Sequence, residues 1–395
     1  MLLPAALAHG QEYVVSDHGV DASSPVAATH PGGGFESVLI DNVTTSVAED
    51  NSGDEHDTAW STTGNVLDQA WDSCTEALEV TSTAQCRDCG QTHLACCLSG
   101  CGGPRWCAQV DGLALWQGNI PSEPFLLAPN GQVALNANQA QTEATPGVRV
   151  GLLRRLNERM ALEGNYIWAQ PFQSYTLVPA TSGFYTMTNL ADLTFNDVTT
   201  ATMTTEAQFQ GAEFNGRYCD GGLFTWLAGF RWVQWNQLTS IGYDYAAAEP
   251  LPGGVGTIQS RVGNDLYGGQ IGGIMKLWNN GGRWQVTGVG KAGLYYNTAW
   301  QTTVVTDGRI PVPPNNPVGA SGQQTSFVGE VGVNSSLWLT ERLAWRLGYT
   351  FFWLTDVAVP QAQFPLSNIG NQTAGINTTG SVLLHGVTTG LEARW

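Results

Sequence analysis

Cysteine is the side chain with the widest chemistry in this sequence, and seven of the eight cysteines fall in one short span that includes CRDCGQTHLACCLSGC. The disulfide candidates are Cys74, Cys86, Cys89, Cys96, Cys97, Cys101, Cys107 and Cys219. Cys86 and Cys89 also form a CxxC motif close to His93, which is half of a zinc site. The spacing lacks a standard second pair, and export to an oxidising compartment favours disulfides. We therefore predict disulfides and no metal.

The second set with possible chemistry consists of charged residues that alternate with apolar residues. We expect these on the inward face of a barrel: Asp111, Arg149, Glu163, Glu213, Arg217, Arg231, Lys291, Glu330, Arg346, Glu392 and Arg394. Small barrels are normally filled by side chains, and buried charges must be paired. One interpretation is a salt-bridged interior network. The other is a narrow charged constriction that conducts small ions.

The sequence does not indicate catalysis. Five of the six histidines precede residue 106, and His385 shares a strand face with Val387 and Leu391. The carboxylates lie on separate segments with arginines among them, which favours ion pairing over raised acidity. GxSxG, HExxH and the phosphate-loop motif GxxxxGK[ST] are absent from the sequence. We predict a protein that is not an enzyme and that needs no cofactor.

Charge is distributed unevenly along the 395 residues. The net charge is −17, and residues 1–105 contain 15 acidic and 2 basic residues. Since no basic face is available to neutralise phosphates, nucleic acid is not expected as a partner. No run of about 18–20 apolar residues occurs, so a membrane-spanning helix is not expected.

The N-terminal part has two predicted regions. The start, MLLPAALAHGQ (residues 1–11), is similar to the apolar core and small-residue exit of a truncated export signal. Residues 12–105 are acidic and Cys-rich and show no sustained period, which predicts a poorly regular segment.

Residues 106–395 alternate between apolar and polar side chains, which is typical of strands. We predict ten strands: 106–117, 147–155, 159–169, 204–219, 222–239, 264–278, 282–300, 325–339, 342–357 and 382–395. Four connections are tight (155–158, 219–222, 278–282 and 339–342) and alternate with five long ones (118–146, 170–203, 240–263, 301–324 and 358–381). Short turns at one end and long loops at the other indicate an all-β fold, a transmembrane up-and-down antiparallel β-barrel.

Tryptophans mark the expected limits of the membrane. The predicted aromatic girdle contains Trp106, Trp116, Trp168, Trp232, Trp284, Trp345, Trp353 and Trp395. Trp106 and Trp116 are ten residues apart on one face, or about 33 Å along a strand. A tilt of about 40° reduces this to roughly 25 Å, the height of an outer-membrane apolar band.

Several motifs occur in an order that resembles the β-barrel porins of planctomycete-type bacteria, a family of unknown function. The matching stretches are RWCAQVDGLALW (105–116), GVRVGLL (147–153), FQGAEFNGRY (209–218), LAGFRWVQWNQ (227–237), NDLYGGQIGG (264–273), VGEVGVN (328–334), LGYTFFWLTDVA (347–358) and HGVTTGLEARW (385–395). The resemblance covers residues 105–395 and implies an exported outer-membrane barrel. It implies no substrate and no catalytic residues.

We therefore expect an outer-membrane protein that is structural or a narrow porin-like conduit for small ions or solutes, with residues 12–105 in the periplasm. The alternatives are a surface-binding or adhesin-type barrel that uses its long loops, and a disulfide-linked envelope anchor. The expected partners are outer-membrane lipid, other envelope proteins joined through disulfides, and the insertion machinery, because a terminal aromatic on an alternating strand resembles its recognition signal.

One hypothesis is that Cys219 forms a disulfide with a cysteine of residues 74–101, because Cys219 adjoins a tight turn at the same barrel end as the start of the first strand. The alternative is that the disulfides are local and stabilise only the N-terminal segment. Mass spectrometry of the non-reduced, alkylated protein should recover Cys219 in a cross-linked peptide. Recovery of Cys219 as an alkylated thiol would contradict this tether.

Overall fold

A computed structural model describes residues 105–118, 120–140, 142–180, 183–191, 193–219, 223–247, 253–279, 283–307 and 317–395. The predicted export signal, residues 12–104 and six of the eight cysteines lie outside the described residues. No helix among the described residues is long and apolar enough to cross a membrane.

The described residues form an almost entirely antiparallel β structure. Its strands in chain order are β1 (Trp106–Gly118), β2 (Pro124–Leu127), β3 (Val133–Asn136), β4 (Thr145–Arg155), β5 (Met160–Val178), β6 (Tyr185–Leu190), β7 (Leu193–Cys219), β8 (Phe224–Tyr245), β9 (Gly254–Asn279), β10 (Trp284–Asp307), β11 (Val318–Trp338), β12 (Leu343–Val357), β13 (Ser367–Asn368), β14 (Thr373–Ala374) and β15 (Gly380–Arg394). Single 3-10 turns occupy Ala137–Gln139, Pro360–Ala362 and Phe364–Leu366.

Ten of these strands form a closed ring in the order β1, β4, β5, β7, β8, β9, β10, β11, β12, β15. The seam between the first and last ring strands pairs Cys107 with Arg394 and continues to Gly118. At its end, the Trp106 amide donates to the Trp395 carbonyl at 2.9 Å, and the Trp395 amide donates to the Trp106 carbonyl at 3.0 Å. The predicted ten-strand, up-and-down barrel is confirmed.

Six predicted strand ends at the long-loop end of the barrel, those of β5 and of β7 to β11, are wrong, and the other four agree within two residues. β5 continues to Val178, β7 already starts at Leu193, and β9 starts at Gly254. The predicted loop 240–263 is therefore mostly strand, and the same holds for 301–324. The predicted loops 118–146 and 170–203 contain β2, β3 and β6, which extend the sheet from β7.

The reason is an inversion of polarity along each long strand. In the part of β8 nearer the short turns, which we call the lower part, Arg231 is buried inside the ring and Phe230 is 52% exposed on its outer face. Farther up the same strand, Trp235 and Ile241 are fully buried inside, while Asn236 faces outward. β7 changes in the same way. An apolar exterior requires hydrocarbon and a polar exterior requires water, so the strands cross a membrane and then project from it.

The height of the apolar band agrees with a membrane. On β8 the outward residues from Phe224 to Trp232 are all apolar, a span of about 26 Å along the strand and roughly 20 Å after tilt. A row of polar side chains lies directly above it. Tyr166 Oη donates to Gln210 at 3.0 Å, Gln210 to Gln234 at 2.5 Å, and Gln234 to Asp265 at 2.9 Å.

The boundary between the apolar band and the polar row can be tested on the outward face of β8. Ala228→Arg, in the middle of the apolar band, should lower the free energy of unfolding by about 2–4 kcal/mol, the usual cost of an arginine at the bilayer midplane. Asn236→Arg, eight residues farther along the same face, should change it little because that position faces water. Urea unfolding in lipid vesicles measures both. Equal effects would contradict the assigned boundary.

Candidate functional site

The structure places all eleven charged candidates on the inward face of the ring. Inward glycines provide the space that long side chains need. Gly272 of β9 is paired with Lys291 of β10, and a Cβ at Gly272 would come within 3.1 Å of Lys291 Cγ. At Gly151 of β4 a Cβ would overlap the Asn165 side chain at 2.2 Å. The alternation of glycine and charge therefore lets a narrow barrel hold these groups.

Glu330 of β11 is the centre of the first ionic group. Its carboxylate lies 2.8 Å from Arg231 Nη1, 3.3 Å from Arg149 Nη2 and 3.5 Å from Lys291 Nζ. Only 2% of Glu330 is exposed, and Arg231 is 4% exposed. A carboxylate so deeply buried is stable only because cations from three other strands surround it.

Glu213 of β7 shares two of these cations. It lies 2.5 Å from Lys291 Nζ and 3.8 Å from Arg231 Nη1. Asn165 Nδ2 donates to Glu213 at 2.8 Å and to Glu163 at 2.6 Å, which joins the next pair to the group. Glu163 in turn lies 2.5 Å from Arg217 Nε. We call the seven charged residues of this group the charged layer: Arg149, Glu163, Glu213, Arg217, Arg231, Lys291 and Glu330.

A second ionic group lies beside the seam. Arg346 of β12 is 3.8 Å from both the Asp111 and the Glu392 carboxylates, and its Nη1 donates to Gln109 Oε1. A cavity of about 100 Å³ between the two groups is lined by both, which is room for a few water molecules. If every group is ionised, the charged layer carries one excess positive charge and the Arg346 group one excess negative charge, so the two balance.

Arg394, the eleventh candidate, lies apart from both groups. Its guanidinium is 3.5 Å from the ring centre of Trp338, and its Nε donates to the Glu341 carbonyl at 3.0 Å. These contacts put it at the short-turn end, where it packs at the mouth of the barrel.

Apolar side chains form the next layer toward the long-loop end, and we call it the aromatic seal. Phe172, Phe209, Trp235 and Phe352 are all fully buried in it. Phe209 and Phe352 pack with ring centres 5.3 Å apart, and the Arg149 and Arg231 guanidinium carbons lie 5.6 and 5.4 Å from the Phe352 ring centre. Residues from nine of the ten ring strands belong to this one contiguous buried cluster. The seal therefore covers the cross-section of the barrel directly above the charges.

The last loop, residues 358–379, folds into the barrel above the seal. Asn264 exchanges two hydrogen bonds with the main chain of Ala358, at 2.9 and 2.7 Å. Farther along, Gln301 donates to the Gly375 carbonyl at 2.9 Å, and Ser367 donates to Thr303 at 2.8 Å. These partners point inward from β9 and β10, so the ring itself holds the loop in the lumen.

The eight candidate tryptophans all lie on the outer face. Trp106, Trp284, Trp345 and Trp395 lie near the short-turn end, and Trp116, Trp168, Trp232 and Trp353 lie farther up the strands. Other outward aromatics, such as Trp226 and Tyr267, share the band and could have been found from the same parity. Asn165, Gln270 and the aromatic seal were missed, because uncharged inward residues carry no signal until the pairing of the strands is known.

Two of the cysteine candidates lie in the described residues, and both are buried at the short-turn end. Cys107 packs with Leu153 and Ala161, and Thr225 Oγ1 lies 3.7 Å from Cys219 Sγ. Within the described ranges, no group of three or more His, Cys, Asp and Glu side chains is placed to hold a metal ion. His385 faces outward, with Nδ1 2.7 Å from Tyr349 Oη.

A closed antiparallel ring with an apolar outer band and inverted polarity above it defines the class of this protein: an outer-membrane β-barrel.

No protein-family model matches the chain, and no curated protein matches it. Among solved structures, the chain is similar to the outer membrane protease OmpT from Escherichia coli, with 10% identity, a TM-score of 0.44, and coverage of 74% of this chain and 98% of that one. It is also similar to the translocator domain of the autotransporter NalP from Neisseria meningitidis, with 12% identity, a TM-score of 0.33, and coverage of 84% of this chain and 98% of that one. A third similar structure is the P. putida toluene transporter TodX, with 9% identity, a TM-score of 0.27, and coverage of 74% of this chain and 90% of that one. The class rests on the strands themselves and not on these distant likenesses.

Removing the carboxylate at the centre of the charged layer should be costly. Glu330→Gln leaves three cations around a neutral group, and we expect a loss of about 3–5 kcal/mol in unfolding free energy. The matched control is Glu341→Gln in an exposed turn on the next connection, which should leave stability unchanged. Urea unfolding in vesicles measures both. A Glu330→Gln protein as stable as the wild type would show that the buried cations do not need the Glu330 carboxylate for their stability.

Proposed function

We propose that this protein is a closed structural barrel whose activity lies at its ends and not in its lumen. The observation that carries the proposal is the stacking of three layers inside the ring: the charged layer, the aromatic seal and the last loop. An ion that entered from the short-turn end would reach charges that are already paired with one another, and then a layer of fully buried apolar side chains. Stripping its water there would cost far more than the paired charges could return.

The projecting section supports a role in surface presentation. Beyond the apolar band it has its own buried core, in which Phe125 packs edge-on against Phe364 with ring centres 5.4 Å apart. Its outer surface exposes large side chains, including Tyr175 at 66% and Val255 at 71%. A folded section that stands clear of the membrane and exposes such groups is suited to bind another surface. This observation favours the surface-binding alternative as the second candidate function.

We further propose an orientation in the membrane and a set of partners. The short-turn end faces the periplasm together with residues 12–105, and the insertion machinery and disulfide-linked envelope proteins are the proposed partners. Membership of the planctomycete-type porin family is supported by the order of the quoted motifs. The five inward carboxylates of the candidate set each lie within 4 Å of an arginine or lysine nitrogen, which supports a protein that is not an enzyme.

Planar-bilayer recording tests the closed lumen. We expect the wild-type protein to show no steady conductance, and Phe209→Ala/Phe352→Ala to show measurable ion leakage because it opens the seal. The matched control is Phe230→Ala, which removes an aromatic ring from the lipid-facing side and should stay silent. Gel mobility before and after boiling verifies that each variant is a folded barrel. Steady, ion-selective wild-type conductance would overturn the proposal in favour of a narrow conduit.

A further inference from the structure

The two ends of the barrel carry opposite charge. Among the described residues at the short-turn end, Arg105, Arg154, Arg159, Arg283 and Arg342 are all exposed. The acidic residues described at that end are Glu158 and Glu341. Beyond the apolar band at the other end the sign reverses, and the exposed charges there include Glu143, Glu206 and Asp244, with Arg261 as the described exception.

Arg154 is held at the edge of the membrane. It points outward from β4 and is paired across the strands with Trp106. Its guanidinium carbon lies 5.2 Å from the centre of the Trp106 ring. Trp106 is joined by two main-chain hydrogen bonds to Trp395, which is 57% exposed. The guanidinium therefore lies over one indole, and a second outward tryptophan is paired with the first at the level where amphipathic rings meet lipid headgroups.

Two further arginines lie on neighbouring chain segments of the same seam. The Arg105 carbonyl accepts from the Arg155 amide at 2.8 Å, which places Arg105 at the start of β1 beside the end of β4. The Arg342 carbonyl accepts from the Arg394 amide at 2.9 Å, which places Arg342 at the start of β12 beside the end of β15. Arg105, Arg154 and Arg342 thus follow one arc of the rim, and we call them the seam arginines.

We propose that the seam arginines bind the phosphate groups of anionic phospholipids in the leaflet at the short-turn end. A guanidinium presents paired donors that match phosphate oxygens, and this geometry is better suited to phosphate than a point charge. The apolar band that adjoins the arginines on the membrane side accommodates the acyl chains of the same lipid. The acidic outer face at the opposite end repels phosphate, so the preference belongs to one leaflet. This inference rests on the membrane-spanning class and holds whether or not the lumen conducts.

The test uses the full-length protein in nanodiscs that contain phosphatidylcholine and phosphatidylglycerol. Native mass spectrometry after release into detergent gives the ratio of the two lipids retained. We expect enrichment of phosphatidylglycerol that falls roughly fivefold for each of Arg154→Gln and Arg342→Gln, as expected for one basic residue near an anionic surface. Arg154→Lys keeps the charge without the paired donors and should retain part of the enrichment.

The matched control is Arg261→Gln, which removes an exposed arginine from the opposite end and should leave the ratio unchanged. Heat-modifiable gel mobility verifies that every variant is folded. Three outcomes overturn the proposal: wild-type protein without lipid preference, an Arg261→Gln effect as large as that of the seam variants, or displacement of phosphatidylglycerol by inorganic phosphate alone. The last would identify a site for free phosphate instead of a lipid site.

Discussion

Every main-chain amide and carbonyl that enters hydrocarbon needs a partner within the protein, and this constraint determines the rest of the structure. Ten strands meet it by closing, with β15 against β1 as the final pair. Closure fixes a narrow interior, and the narrow interior determines what the inward residues must be. Small positions such as Gly151 and Gly272 alternate with charged side chains, and each charge has partners on other strands. The ionic groups are therefore a consequence of the wall, which leaves room for only a few water molecules beside them.

The change of polarity along the strands links this wall to its surroundings. Below the row from Tyr166 to Asp265, lipid covers apolar side chains and the interior holds charges. Above it, water covers polar side chains, and the interior holds buried apolar clusters together with polar side chains, such as Asn264 and Gln301, that bind the last loop. One hydrogen-bonded sheet thus passes through two solvents without interruption. The aromatic seal lies where the two regimes meet, at the level at which inward residues change from Arg231 to Trp235.

The sequence alone predicts the ring because apolar and polar side chains alternate along strands that face lipid. All ten strands, the outward tryptophans and the inward position of the eleven charged residues follow from this alternation. The ends of the long strands do not follow, because apolar-outside alternation stops at the membrane surface while the hydrogen bonds continue to Tyr245 and Asp307. Parity also could not show which charges meet, since Glu330 reaches Arg149 only through the register of the closed ring. The seal was missed because its residues look like lipid-facing ones once the polarity has inverted.

The seam joins the two ends of the barrel sequence, and this has a kinetic consequence. Pairing of Trp106 with Trp395 closes a loop that spans nearly the whole domain, so its entropic cost falls on the last step of assembly. Until that step, β1 and β15 each present a row of unsatisfied main-chain groups, a state that hydrocarbon does not tolerate and that invites pairing with foreign strands. A nascent barrel of this kind is therefore open to incorrect strand pairing until β1 and β15 meet.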